Sequence, residues 1–97
     1  MENDFNKILD RKAAEFKKKE YSFFKKYLNR VFSFGEKING KDFEFEIHVI
    51  ENKNGNKEFF VMVEASKKIL FAYFGKARYF AISEDNSVRD LKDEEVF

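Results

Sequence analysis

Cysteine is missing from the sequence, so neither a disulfide nor a thiolate metal site contributes to fold or function. No apolar run approaches the roughly 18 residues of a membrane-spanning helix. The opening MENDFNKILDRK is too polar for a secretory signal. Both features point to a soluble, cytoplasmic protein with no membrane partner. Glycine is sparse: four residues lie scattered along the chain, and none forms a glycine-rich phosphate loop. Proline is absent while Lys, Asn, Ile and Phe are abundant, the residue usage of AT-rich codons and hence of a bacterial or phage genome.

Phenylalanine is present in excess, 14 of 97 residues, in a chain that is 43% hydrophobic and 38% charged. That balance describes one globular domain, 1–97, with more bulky apolar surface than a core of this size needs. The net charge of +1 conceals an asymmetry. Residues 1–41 hold eleven Lys/Arg against six Asp/Glu, a net +5; residues 42–97 hold eight against twelve, a net −4. Neither half is charged strongly enough to define a partner by charge alone.

Residues 4–33 carry apolar side chains at Phe5, Ile8, Leu9, Ala13, Phe16, Phe23, Phe24, Tyr27, Leu28, Val31 and Phe32. Their spacing by threes and fours predicts one long helix, opened by Asn3 or Asp4 and stopped at Gly35. The stripe thins at KKKEYS, 17–22, where a bend is expected. After Asn39-Gly40 the period changes to two. FEFEIHV, 43–49, places Phe43, Phe45, Ile47 and Val49 on one face and Glu44, Glu46 and His48 on the other.

Strands are expected over about 42–51, 57–65, 69–74 and 77–84. A three-residue loop at Lys53-Asn54-Gly55 sets Val49 opposite Phe59 and keeps one face apolar. Gly75-Lys76 suits a two-residue turn inside ILFAYFGKARYFAI, 69–82. A three-residue loop at Ser66-Lys67-Lys68 places Ile69, Phe71, Tyr73, Phe80 and Ile82 inside and is preferred because it buries the larger side chains. A two-residue loop would place Leu70, Ala72, Phe74, Tyr79 and Ala81 there instead, and Phe60 and Met62 stay on the other face in either register. The tail, 85–97, suits a short acidic helix capped by Ser87, with Val88, Leu91 and Phe97 as anchors. The expected architecture is α+β, a long helix laid across a four-stranded antiparallel meander, similar in outline to cystatin-like domains on architecture alone.

That architecture leaves an apolar second face: Phe60, Met62, Leu70, Ala72, Phe74, Tyr79 and Ala81, edged by Glu44, Glu46 and His48. An apolar patch of several hundred Å2 marks an interaction site on a soluble protein, and three covers suit it: the chain's own tail, a second copy of the protein or a different molecule. No cofactor is implied. Glu44, Glu46 and His48 share a strand face, but ligands two residues apart diverge on a flat strand and no further cluster completes a metal site, so His48 reads as a solvated or interface residue. No nucleophile–base pair or glycine-rich motif points to catalysis, and the chain reads as non-enzymatic.

The expected function is a small protein-binding module that occludes or sequesters a target. Inhibitors, immunity proteins and phage anti-defence proteins act in this way. Homodimerisation through the same face is expected, with Phe60, Met62, Leu70, Phe74, Tyr79, His48, Glu44 and Glu46 as contacts. The alternative is single-stranded nucleic-acid binding, with sheet aromatics beside Lys67, Lys68, Lys76 and Arg78 and helix lysines such as Lys18 and Lys25.

Overall fold

The computed structural model describes the backbone of residues 2–52, 57–69 and 72–91 and the side chains of 5–52, 57–67 and 75–91. Its elements are α1 (Glu2–Lys17), α2 (Tyr21–Lys25), β1 (Val31–Ile38), β2 (Lys41–Glu51), β3 (Glu58–Ile69), β4 (Ala72–Ser83) and β5 (Val88–Leu91). The strands form one antiparallel meander in the order β1-β2-β3-β4-β5. The class is α+β, as the patterning predicts, with five strands in place of four.

The helix expected over 4–33 is three elements. Lys17, Lys18, Lys19 and Glu20 offer nothing apolar to bury, and α1 tightens there into i−3 bonds, Lys18 N to Glu15 O (3.3 Å) and Lys19 N to Phe16 O (3.0 Å). The first amide of α2, Tyr21 N, is capped by Asn86 Oδ1 at 2.8 Å from the β4–β5 turn. Asn29 adopts a left-handed φ of 60°, a conformation asparagine tolerates, and reverses the chain into β1. VFSFGEKI then alternates, with Phe32 and Phe34 half-buried and Val31 and Ser33 exposed. Val31 and Phe32 satisfy both a helical stripe and a strand. Gly35 lies within β1 rather than ending a helix.

Asn39 (φ 53°) and Gly40 (φ 77°) form a two-residue turn between Ile38 and Lys41, the left-handed pair that suits a tight hairpin. Between β2 and β3, Val49 faces Val61, Ile47 faces Val63 and Phe45 faces Ala65. This is a shift of two residues from the expected register, so every side chain keeps its face and the connection lengthens beyond Lys53-Asn54-Gly55, of which 53–56 lie outside the described residues. Pairing continues to Asn52 N, which donates to Glu58 O at 3.1 Å.

The larger correction concerns 69–82. Ser66-Lys67-Lys68 and Gly75-Lys76 are not turns: β3 and β4 are twelve residues each, and Ser66 faces Gly75 and Ala65 faces Lys76 within one ladder. One long ladder pairs backbone groups that two short hairpins would leave to solvent. The reversal falls between Ile69 and Ala72, which are paired with each other; Leu70 and Phe71, and the side chains of Ile69 and Tyr73, lie outside the description. The tail starts as a strand, β5, because Glu84-Asp85-Asn86 makes a three-residue turn with Asn86 left-handed (φ 70°) and Ser83 N bonded to Ser87 O at 2.9 Å. Ser87 therefore follows a hairpin turn and caps no helix; Phe97 lies outside the described residues.

The core lies between α1, α2 and the inner face of the sheet. Phe5, Leu9, Ala13 and Phe16 of α1 are buried, as the stripe predicts, against Phe43, Phe45, Ile47 and Val49 of β2, Phe59, Val61, Val63 and Ala65 of β3, and Phe80 and Ile82 of β4. Phe24 of α2 is fully buried edge-on to Phe80, centroids 5.8 Å apart, and Tyr21 stacks on Phe59 at 4.3 Å. Lys12 is buried too, bonded to Glu15 (2.9 Å) and to Glu36 of β1 (2.6 Å). Burial opposes its charge, but the two carboxylates outweigh burial and raise its pKa. Removing the ring of Phe24 leaves a cavity between α2 and β4, so Phe24→Ala is expected to lower unfolding free energy in urea by about 3–5 kcal/mol.

Candidate functional site

The antiparallel registers arrange the outer face in rows that run across the strands. One row is Val31, His48, Met62, Tyr79 and Leu91; the next is Ile50, Phe60, Ala81 and Arg89. Together they form an apolar band over all five strands. Val31 and Ile50 are 56% and 41% exposed, Phe60, Met62 and Tyr79 are half-buried, and Ala81 and Leu91 are buried. None of the described elements packs on this face, because α1 and α2 both sit on the other. An antiparallel sheet commonly shows water a polar surface on its open side; here the central rows are apolar.

On one side of the band the rows become small and acidic: Ser33, Glu46, Glu64 and Ala77, then Gly35, Glu44, Ser66 and Gly75. Flanked by such short residues, the three carboxylates stand above their surroundings. Expectation and structure differ here. Glu46 and His48 do not diverge: His48 Nε2 lies 3.2 Å from Glu46 Oε2. Glu64 enters from β3, directly opposite Glu46. Sequence reasoning missed Glu64 because its place beside Glu46 depends on the β2–β3 register, which the expected loop put two residues away.

On the other side of the band lies a polar network. Glu58 is buried and accepts hydrogen bonds from Asn52 Nδ2 (2.6 Å) and Arg89 Nη2 (2.8 Å). The Arg89 hydrogen bond is the main cause that holds the Glu58 carboxyl below its ordinary value; burial opposes it and Asn52 adds to it.

Of the expected contact residues, Phe60, Met62, Tyr79, His48, Glu44 and Glu46 share this face, and Val31 and Ile50 join them. Leu70 and the side chains of Ala72 and Phe74 lie outside the described residues. The basic residues of the nucleic-acid alternative are placed elsewhere. Lys76 Nζ donates to Asn6 Oδ1 (3.3 Å) and Arg78 to Asp10 Oδ1 (2.8 Å) and Asn6 Oδ1 (3.3 Å), all on α1. Lys67 lies over the ring of Phe43, 5.7 Å from its centroid, on the inner side. Lys18 and Lys25 are exposed on the helical layer, and the Lys68 side chain is outside the description. Among the described residues, then, the basic set does not share a face with the Phe60–Met62–Tyr79 band.

A second opening, which periodicity did not reveal, lies between the helical layer and the β1 edge, lined by Phe16, Phe23, Phe32 and Phe34 under Lys12 and Lys19. It accounts for part of the phenylalanine excess. No helix among the described residues is long and apolar enough to cross a membrane. No protein-family model, curated protein or solved structure matches the chain, so the cystatin-like outline has no counterpart from these comparisons.

Glu58 supplies a pH prediction. Its folded state favours the charged form, so this stabilisation is complete above the ordinary carboxylate pKa of 4.5 and is lost as pH falls through the depressed folded value. Glu58→Gln is expected to cost about 1–3 kcal/mol at neutral pH. The gap between variant and wild type in urea titrations should narrow steadily as the pH is taken below the carboxylate range.

Proposed function

We propose that this chain is a small non-catalytic protein-binding module that works by covering its target with the outer face of the sheet. Inhibitors, immunity proteins and phage anti-defence proteins operate in this manner. One observation carries the proposal: an apolar band crosses every strand on the face that the described helices leave open. Phe60, Met62 and Tyr79, with Val31 and Ile50 beside them, would supply the central contact. Glu44, Glu46 and Glu64 lie next to the band and would select a partner surface with basic residues at the matching edge. The same face suits pairing of two copies about a two-fold axis, with the apolar bands in register and the acidic rows set toward solvent.

The test replaces the band's centre with neutral polar residues of similar size, Phe60→Gln with Met62→Gln. The double variant is expected to keep its far-UV circular dichroism and urea midpoint close to wild type. In light scattering over a dilution series, a wild-type dimer that becomes monomeric in the variant would assign the face to self-association. If both are monomers, affinity purification should recover a protein with the wild type that the variant loses. Unfolding of the variant, or unchanged association in both assays, would overturn the proposal.

A further inference from the structure

We propose that Glu46, His48 and Glu64 bind one divalent transition ion of the Zn2+ type on the outer face. The inference concerns the partner-free chain and does not depend on the contact role of the apolar band. One ligand atom from each of the three residues lies within 4.8 Å of the others. The Nε2–Oε2 separation of 3.2 Å between His48 and Glu46 already matches the edge of a tetrahedron of ligands at about 2.0–2.1 Å from a zinc ion, which is roughly 3.3–3.4 Å. The Glu64 carboxylate, within 4.8 Å of both, would have to turn toward them to supply the third corner. The strands fix the backbone positions of all three residues, because Glu46 and Glu64 are direct cross-strand partners and His48 is two residues along β2.

A second observation points the same way. Like charges directly opposite on neighbouring strands destabilise a sheet, and Glu44 adds a third carboxylate in the adjoining row. Among the described residues, neither Glu46 nor Glu64 has a lysine or arginine within ion-pair distance; the ion-pair partner of Glu46 is His48. Some acids elsewhere pair with bases across elements, as Asp10 with Arg78, Glu36 with Lys12 and Glu58 with Arg89. Glu46 and Glu64 face each other directly across the β2–β3 ladder without such a base, and a cation held between the two carboxylates and the imidazole would remove the repulsion.

The donor set selects the ion. One imidazole with two carboxylates suits a borderline transition metal, whereas calcium requires six to eight oxygens and magnesium keeps most of its waters. Three protein ligands leave the solvent-side position open to water or an exogenous donor, the arrangement of an accessible zinc site rather than a closed structural one. Ser33 and Ala77 flank the carboxylates in their row, so no bulky neighbour in that row bars the approach.

The experiment is calorimetric titration of chelator-stripped protein with zinc chloride, for wild type, His48→Ala, Glu64→Gln and Glu44→Gln. Wild type is expected to take one zinc per chain with micromolar affinity. His48→Ala and Glu64→Gln should weaken binding at least about tenfold, and Glu44→Gln should leave it within a few-fold. Magnesium should give no comparable heat. Because the chain has a single histidine, its ring resonances should shift in step with the titration in the unaltered protein, a check that needs no variant. Absence of wild-type binding below millimolar zinc, an unshifted imidazole, or a loss in Glu44→Gln equal to that in Glu64→Gln would overturn the proposal, the last by showing only a diffuse acidic surface.

Discussion

A β-sheet has two faces, and the helical layer of this chain covers one of them. α1, with 16 residues, is about 24 Å long at ~1.5 Å per residue, and α2 adds little more than one turn. The remaining architecture follows from that constraint. Side chains alternate between faces with a strict period of two, so one face of β2, β3 and β4 becomes a continuous apolar surface closed by Phe5, Leu9, Phe16 and Phe24. The other face is set by the intervening residues. There Phe60, Met62 and Tyr79 stand in place of the polar residues that an open face usually carries.

The helical layer is held by contacts distant in sequence rather than by its own length. Asn86 both reverses β4 into β5 and caps α2 through Tyr21 N. Lys12 crosses from α1 to Glu36 on β1, and Arg78 crosses from β4 back to Asp10. Five residues of α2 are too few for a stable helix in isolation. The burial of Phe24 against Phe80 and the stacking of Tyr21 on Phe59 give this segment its place. The contact to Asp10 and the bonds to Asn6 hold Lys76 and Arg78 of β4 on the helix side, away from the carboxylates of the outer face.

Much of this was legible in the residues themselves. The stripe at Phe5, Leu9, Ala13 and Phe16 identified the buried side of α1, and the alternation of Phe43, Phe45, Ile47 and Val49 identified the inner face of β2. Phe60 and Met62 were assigned to the open face whatever the register. The helix end differs because Val31 and Phe32 fit both a 3.6-residue and a two-residue period, and left-handed Asn29 turns the chain into β1 just before them. The β3–β4 reversal was misplaced because Gly75 fits a turn as readily as a strand; pairing over twelve residues outweighed the local turn preference. Glu64 stayed hidden for a related reason, since a residue's cross-strand neighbours depend on a register that no single segment encodes.

The central proposal is that the Phe60–Met62–Tyr79 band, which none of the described elements covers, is open to a partner. Solvent paramagnetic relaxation with a neutral gadolinium chelate, measured on side-chain signals at concentrations where light scattering shows a monomer, tests it most directly. Phe60, Met62, Ile50 and Tyr79 should relax strongly, while Phe24, Phe45 and Phe80 stay protected. Protection of Phe60, Met62 and Tyr79 in the monomer, to the level of Phe45, would show that another part of the chain covers the face and would contradict the account.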